Sequence, residues 1–182
     1  MVRRRTLIIV LSVAGPLAGC VSHSPYPRDW PALPAAGPDV CPAVAGRFEN
    51  FVSATTDDDS VPTLSVLFGI ERGGRVLEIR QSPDQKLLVK ATDSLGSITL
   101  EEKALAYHCD DDGLQVTTGY ALHDANVAAS IERKSVHFTR ATDGSLVVRR
   151  KSGQFILILG VIPGGYVSEL RWYRFAPWSL SP

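Results

Sequence analysis

The chain has 182 residues, 45% of them hydrophobic, and its 19 Lys and Arg balance 19 Asp and Glu. Zero net charge argues against a nucleic-acid binder, and the length allows one domain with a real core. Three cysteines and four histidines limit the metal or thiol chemistry available.

The first segment opens with Arg3, Arg4 and Arg5 and continues as an apolar run over 7–18. As a helix that run spans about 18 Å, against roughly 30 Å of bilayer hydrocarbon, so it reads as the apolar part of a secretory signal rather than a membrane span. Gly15 and Pro16 break it, and small residues then lead into Leu17-Ala18-Gly19-Cys20. This tetrapeptide resembles the lipobox of bacterial lipoprotein precursors, a likeness confined to the export segment. The resemblance implies a diacylglyceryl group on the Cys20 sulfur, cleavage before Cys20 and acylation of the new amino terminus. Palmitate-like chains would then hold the protein to the bilayer, each buried methylene adding roughly 0.8 kcal/mol. Val21, where an aspartate would retain the protein at the inner membrane, implies sorting to the outer membrane, with the domain facing the periplasm. On this reading 1–19 is a signal peptide.

Residues 20–40 carry the lipidated cysteine and a leash containing Pro25, Pro27, Pro31, Pro34 and Pro38. Proline fixes φ and donates nothing to a ladder, so the segment is expected to be extended, with a reach of at most roughly 60 Å at 3.1 Å per residue. Tyr26 and Trp30 are then expected to be exposed aromatics in a spacer, the alternative being that they dock onto the folded part or a partner.

Residues 41–182 form the expected β-rich domain. Loss of the arginine-bearing leader leaves the mature chain at a formal charge of −3, unevenly spread. Positions 41–130 sum to −7 and positions 131–182 to +5. The basic set is Arg133, Lys134, Arg140, Arg149, Arg150, Lys151, Arg171 and Arg174. Gathered on one face, it would meet anionic headgroups or an acidic envelope partner; interleaved with the acidic half, it would cancel. With Cys20 taken by lipid, Cys41 and Cys109 are expected to form a disulfide in an oxidising compartment, closing a loop of 68 residue steps.

Strand signals follow in order at 46–51, 76–81, 87–92, 98–101, 105–109 and 114–120, separated by turn-forming pairs such as Gly73-Gly74, Pro83-Asp84 and Asp112-Gly113. The stretch 60–68 has a capping residue and Leu64/Leu67/Phe68 spacing, which predicts a short helix. The Ala-rich stretch 124–131 favours neither state. Val136 to Thr139 alternates, Asp143-Gly144 turns the chain, 146–150 extends, and Ser152-Gly153 is read as a second turn. The apolar run 155–162 is expected to be a central strand covered on both faces, with Pro163-Gly164-Gly165 turning into a last strand over 166–175. Short connections favour antiparallel neighbours. The predicted fold is all-β: an antiparallel up-and-down meander of about eight to ten strands, as a barrel or a sandwich.

No motif carries a chemistry. His108 and Cys109 are neighbours, which on a strand point to opposite faces. The spacings of zinc sites, of the calcium-binding loop, of nucleophile elbows and of phosphate-binding glycine loops are missing. Asp57-Asp58-Asp59 reads as a solvated loop, and Asp110-Asp111-Asp112 leads into the turn at Asp112-Gly113. The expectation is a non-enzymatic lipoprotein without metal or cofactor, whose β domain binds or scaffolds at the cell envelope. Its partners would be the bilayer, through acyl chains on Cys20, and another envelope protein or anionic component. The alternative is a carrier of a small hydrophobic ligand: Gly46-Arg47-Phe48 resembles the Gly-x-Trp opening of lipocalin barrels, with Arg171 or Arg174 as the arginine from the last strand.

Overall fold

The computed structural model describes residues 20–34, 41–56, 61–93, 98–111, 113–125, 128–158 and 162–179. The leader 1–19 and the run Asp57-Asp58-Asp59 lie outside these residues. Among the described residues ten strands and one helical turn follow in chain order: β1 (Cys20–His23), β2 (Gly46–Glu49), β3 (Ala54–Thr55), α1 (Leu64–Leu67), β4 (Val76–Ser82), β5 (Lys86–Thr92), β6 (Thr99–Asp110), β7 (Gly113–Ala125), β8 (Ala128–Arg140), β9 (Leu146–Ile158) and β10 (Ile162–Phe175). The fold is all-β, and its strands pair in the order β1-β10-β9-β8-β7-β6-β5-β4-β2, with β3 also on β10. From β4 to β10 every neighbour is the next strand in sequence and antiparallel, which is the meander that short connections dictate. Only β1 runs parallel to its partner.

The sheet bends at β6. Its first eight residues pair with β5, and only Tyr107 to Asp110 pair with β7. No continuous ladder closes the sheet into a barrel; instead its two margins are laced together by a few bonds. Glu49 donates its N–H to the Ala176 carbonyl (2.9 Å) and Trp178 donates to Arg47 (2.8 Å), around a bridge between Phe48 and Pro177. The sandwich-like space inside is filled by Phe48, Leu77, Ile79, Leu87, Val89, Leu114, Phe138, Val148, Tyr173 and Phe175, all essentially without exposure. Alternation explains this: every second residue of β4 and β5 points inward.

The helical signal materialises as one turn. Thr63 sits at the N-cap and accepts the Val66 N–H on its hydroxyl. The turn sets Leu64, Leu67 and Phe68 into the core, and Phe68 stacks on Phe138 with centroids 4.5 Å apart. Asn50 fixes it in place: its side chain donates to the Gly74 carbonyl (2.7 Å) and accepts from the Ser65 N–H (2.8 Å). At the outer side Glu101 accepts the N–H groups of Glu71 and Arg72, and the Lys103 ammonium donates to the Gly69 carbonyl.

Three expectations in the last third need correction. Ser152-Gly153 is no turn, because β9 passes straight through it. A Cβ at Gly153 would meet the Tyr166 hydroxyl at 2.5 Å, so the glycine makes room on the strand for that ring. Pro163-Gly164-Gly165 lies within β10, where the ladder shifts register between Pro163 and Gly165 and Gly165 takes φ +146°. Proline is tolerated there because β1 covers β10 only from Val167 onward, leaving an edge. Phe155, which opens the run 155–162, is likewise not covered on both faces, being 40% exposed; positions 159–161 of that run lie outside the described residues. The two signals at 98–101 and 105–109 fuse into β6, and the undecided stretch 124–131 supplies the facing ends of β7 and β8.

β7 to β10 therefore extend well past the body. Their core-side portions carry Leu114, Val116, Val136, Phe138, Leu146, Val148 and Tyr173. Beyond them, residues 117–125, 128–133, 151–158 and 162–170 continue as a four-stranded arm.

Candidate functional site

The basic residues are brought together, because β8, β9 and β10 are neighbours in the sheet. These three strands hold eight Arg or Lys and two Glu. Arg150 stands opposite Arg171 and Val136, Arg149 opposite Trp172 and His137, and Lys151 opposite Leu170. Lys134 and Arg133 follow on β8, Arg133 being placed by its backbone only. Arg171 pairs with Glu169, and Arg174 pairs with Asp143 and donates to Ser145. Burial pushes the Asp143 carboxyl up, but hydrogen bonds from Ser145 and the Arg174 guanidinium outweigh it and hold the group below the usual range. Arg140, at the body end of β8, donates to the Ala45 carbonyl (3.0 Å).

The leash does not stand off from the domain. β1 lies along β10 in the register Cys20 to Val167, Val21 to Ser168, Ser22 to Glu169 and His23 to Leu170. The Ser24 N–H then donates to Leu170, and the Trp172 indole donates back to the Ser24 carbonyl (2.9 Å). Tyr26 packs edge-on against Trp172 at 5.1 Å and against Trp30 at 5.8 Å, and its hydroxyl donates to the Pro31 carbonyl. Burial pushes that hydroxyl's pKa up. On the outer side of Trp172 the Arg149 guanidinium lies 5.8 Å from the ring. Thr142 completes the attachment by donating to the Ala32 carbonyl. Residues 20–34 thus form a docked strap, and 35–40, the rest of the leash expected over 20–40, lie outside the described residues. Its prolines leave few donors for a ladder, so the attachment runs through aromatic contacts and single bonds. Tyr26 and Trp30 carried the signal; its target, Trp172, was not legible from spacing.

Cys41 and Cys109 lie within disulfide reach, Cα to Cα 5.4 Å, and their sulfurs are joined. The bridge pins the approach to β2 to the end of β6. Gln81 braces it, donating to the Tyr107 hydroxyl (3.2 Å) and accepting the Val44 N–H. His108, next in the strand, is exposed, as alternation requires.

The remaining chemical candidates are dispersed. His137 is buried, with its Nε2 3.1 Å from Asp110 Oδ2, tying β8 to the end of β6 across β7. His23 is exposed on β1, and the side chain of His123 lies outside the described residues. Among the described residues no three His, Cys, Asp or Glu side chains gather as a metal ion would need. Phe48, the aromatic of the lipocalin-like triplet, is a core residue.

No family model, curated protein or solved structure matches the chain.

Proposed function

We propose that the protein is a membrane-anchored bacterial lipoprotein of the outer membrane, exported and lipidated at Cys20, whose β domain binds or scaffolds at the periplasmic face without catalysing a reaction. The observation that carries this reading is the continuity from Leu17-Ala18-Gly19-Cys20 into β1. The residue that would bear the lipid opens a strand on the margin of the sheet, where acyl chains have a path away from the core. The joined Cys41 and Cys109 agree with an oxidising compartment. The carrier reading draws less support, because α1 and the facing aromatics occupy the space that a carried ligand would need.

Metabolic labelling with a radioactive fatty acid tests the anchor. The mature protein should carry label and sediment with outer-membrane vesicles, and Cys20→Ala should abolish both. An unlabelled wild-type protein, or one recovered from the cytosol, refutes the proposal. Affinity capture of the lipidated protein under detergent, with Arg150→Glu/Lys151→Glu as the control, tests the binding role: partners lost in the control support it.

A further inference from the structure

We propose that the arm rests flat on the bilayer surface beside Cys20, on the face that carries Phe155 and Tyr166 at headgroup level and Lys151 and Arg149 against anionic phosphates. This rests on the reading of Cys20 as lipidated and adds how the domain is presented to the membrane.

Four observations lead there. First, the strap is fastened through Ser24, Tyr26 and Ala32, so Cys20 is held beside Val167 and does not range along a free leash. A domain on a loose spacer would sit up to roughly 60 Å away; one strapped at β1 sits against the surface that its own acyl chains enter. Second, β1 is parallel to β10, so its start points toward the Ile162 end of the arm and away from the body. From Val167 to Ile162 is five residues, about 17 Å of strand.

Third, one face of the arm presents exposed aromatic rings beside the row of Cys20. Phe155 (40% exposed) stands opposite Tyr166 (43%) on that face, while Val167, opposite Cys20 and next along β10, points to the other face. An amphipathic tyrosine beside apolar neighbours suits the boundary between hydrocarbon and water. On the same face as Phe155, Lys151 lies four rows toward the body and Arg149 two rows further, whereas Arg150 and Lys134 project from the other face. Aromatic and basic side chains sharing one face suit a sheet lying in the headgroup layer, with rings toward the acyl boundary and cations at the phosphates.

Fourth, the backbone limits the depth. β7 pairs with β6 only through Gly113 to Val116, and among the described residues no strand pairs with its outer edge over 117–125. Open N–H and C=O groups cannot enter hydrocarbon without a partner, so the arm lies along the headgroup layer and does not cross.

The test uses the full lipidated protein, reconstituted into phosphatidylcholine vesicles with or without phosphatidylglycerol and containing a phospholipid with a photoreactive diazirine near its headgroup. After illumination, trypsin releases residues 152–171, which span the arm, and residues 48–72, which span α1 and part of the body. Mass spectrometry is expected to find several-fold more lipid adduct on 152–171, with the excess growing when phosphatidylglycerol is present. Acylated Cys20 with equal adduct on both peptides, or more on 48–72, overturns the arm proposal and leaves the anchor standing. An excess indifferent to phosphatidylglycerol overturns the role of Lys151 and Arg149. Cys20 without acyl chains overturns both readings.

Discussion

The body and the arm are made from the same four strands, yet they are held together by different physics. In the body, β7 to β10 present Leu114, Phe138, Val148 and Tyr173 to a dry interior closed by α1. In the arm the corresponding inward rows carry Arg150, Arg171, Ser152, Glu169 and Gln154, half-buried polar side chains where the body has packed apolar ones. Hydrophobic burial, at roughly 25 cal/mol per Å², dominates in the first region. Ladder bonds and cross-strand pairs, each adding about 0.2–1.5 kcal/mol net, must suffice in the second. A sheet extended beyond its own core gains little stability from the extra length. What it gains is a surface, and here that surface carries basic residues and borders the anchor residue.

The comparison breaks most easily in the body. Phe138→Ala removes a fully buried ring that stacks on Phe68, and should cost about 3–5 kcal/mol in denaturant unfolding. A loss below about 1 kcal/mol would mean that the interior repacks freely and that body and arm differ less than their burial suggests.

The bridge comes next. Cys41→Ala/Cys109→Ala opens a loop of 68 residue steps, for which chain entropy sets roughly 4 kcal/mol as a ceiling. Denatured-state structure and the Gln81 brace, which survives the change in part, bring the expected loss to about 2–4 kcal/mol. The destabilisation should fall on β2 and β6 in hydrogen exchange, with arm amides unchanged.

These two regions also differ in how well they can be read from sequence. Strand content, the meander and the short helix were legible because the body obeys period-two burial with turn residues at the strand ends. Barrel against sandwich was left open, since it depends on where β6 bends and nothing local marks Tyr107 as the handover. In the arm the local rules mislead. Gly153 serves a ring on the next strand, Pro163 occupies an unpaired edge, and an apolar run of high β propensity ends exposed at Phe155. The basic residues were visible as a list. Their union on three adjacent strands follows from strand order, and the docking of the strap from a Tyr26–Trp172 contact spanning most of the chain.

At the end of the body away from the arm, Asp143 accepts from the Ser145 N–H and hydroxyl and from Arg174, which anchors the β8–β9 turn to the end of β10. Asp143→Asn should cost about 1 kcal/mol near neutral pH, discounted because both partners of the ion pair are partly exposed. The carboxyl is held below its ordinary value in the folded chain, so its contribution is complete above the unfolded pKa near 4 and disappears as pH falls through the folded one. Wild type and variant should therefore converge in stability at the acid end of that window. A difference that persists undiminished below it would assign the effect to packing.

The smallest expected effect is the sharpest test of the contrast. Phe155→Ser removes an aromatic ring of the same size as Phe138, from a neighbouring strand of the same sheet. Its ring is 40% exposed and faces Tyr166 across the ladder, with no third layer above. Global stability should change by no more than about 0.5 kcal/mol, because exposed positions outside a core rarely matter more. Arm amides should meanwhile exchange faster than those of β4 and β5, in the variant more than in wild type, since the outer rungs open independently of the body. A loss approaching that of Phe138→Ala would show that the arm shares the body's cooperative core, and Phe155 would then have a structural duty that leaves no reason to keep it exposed for a membrane.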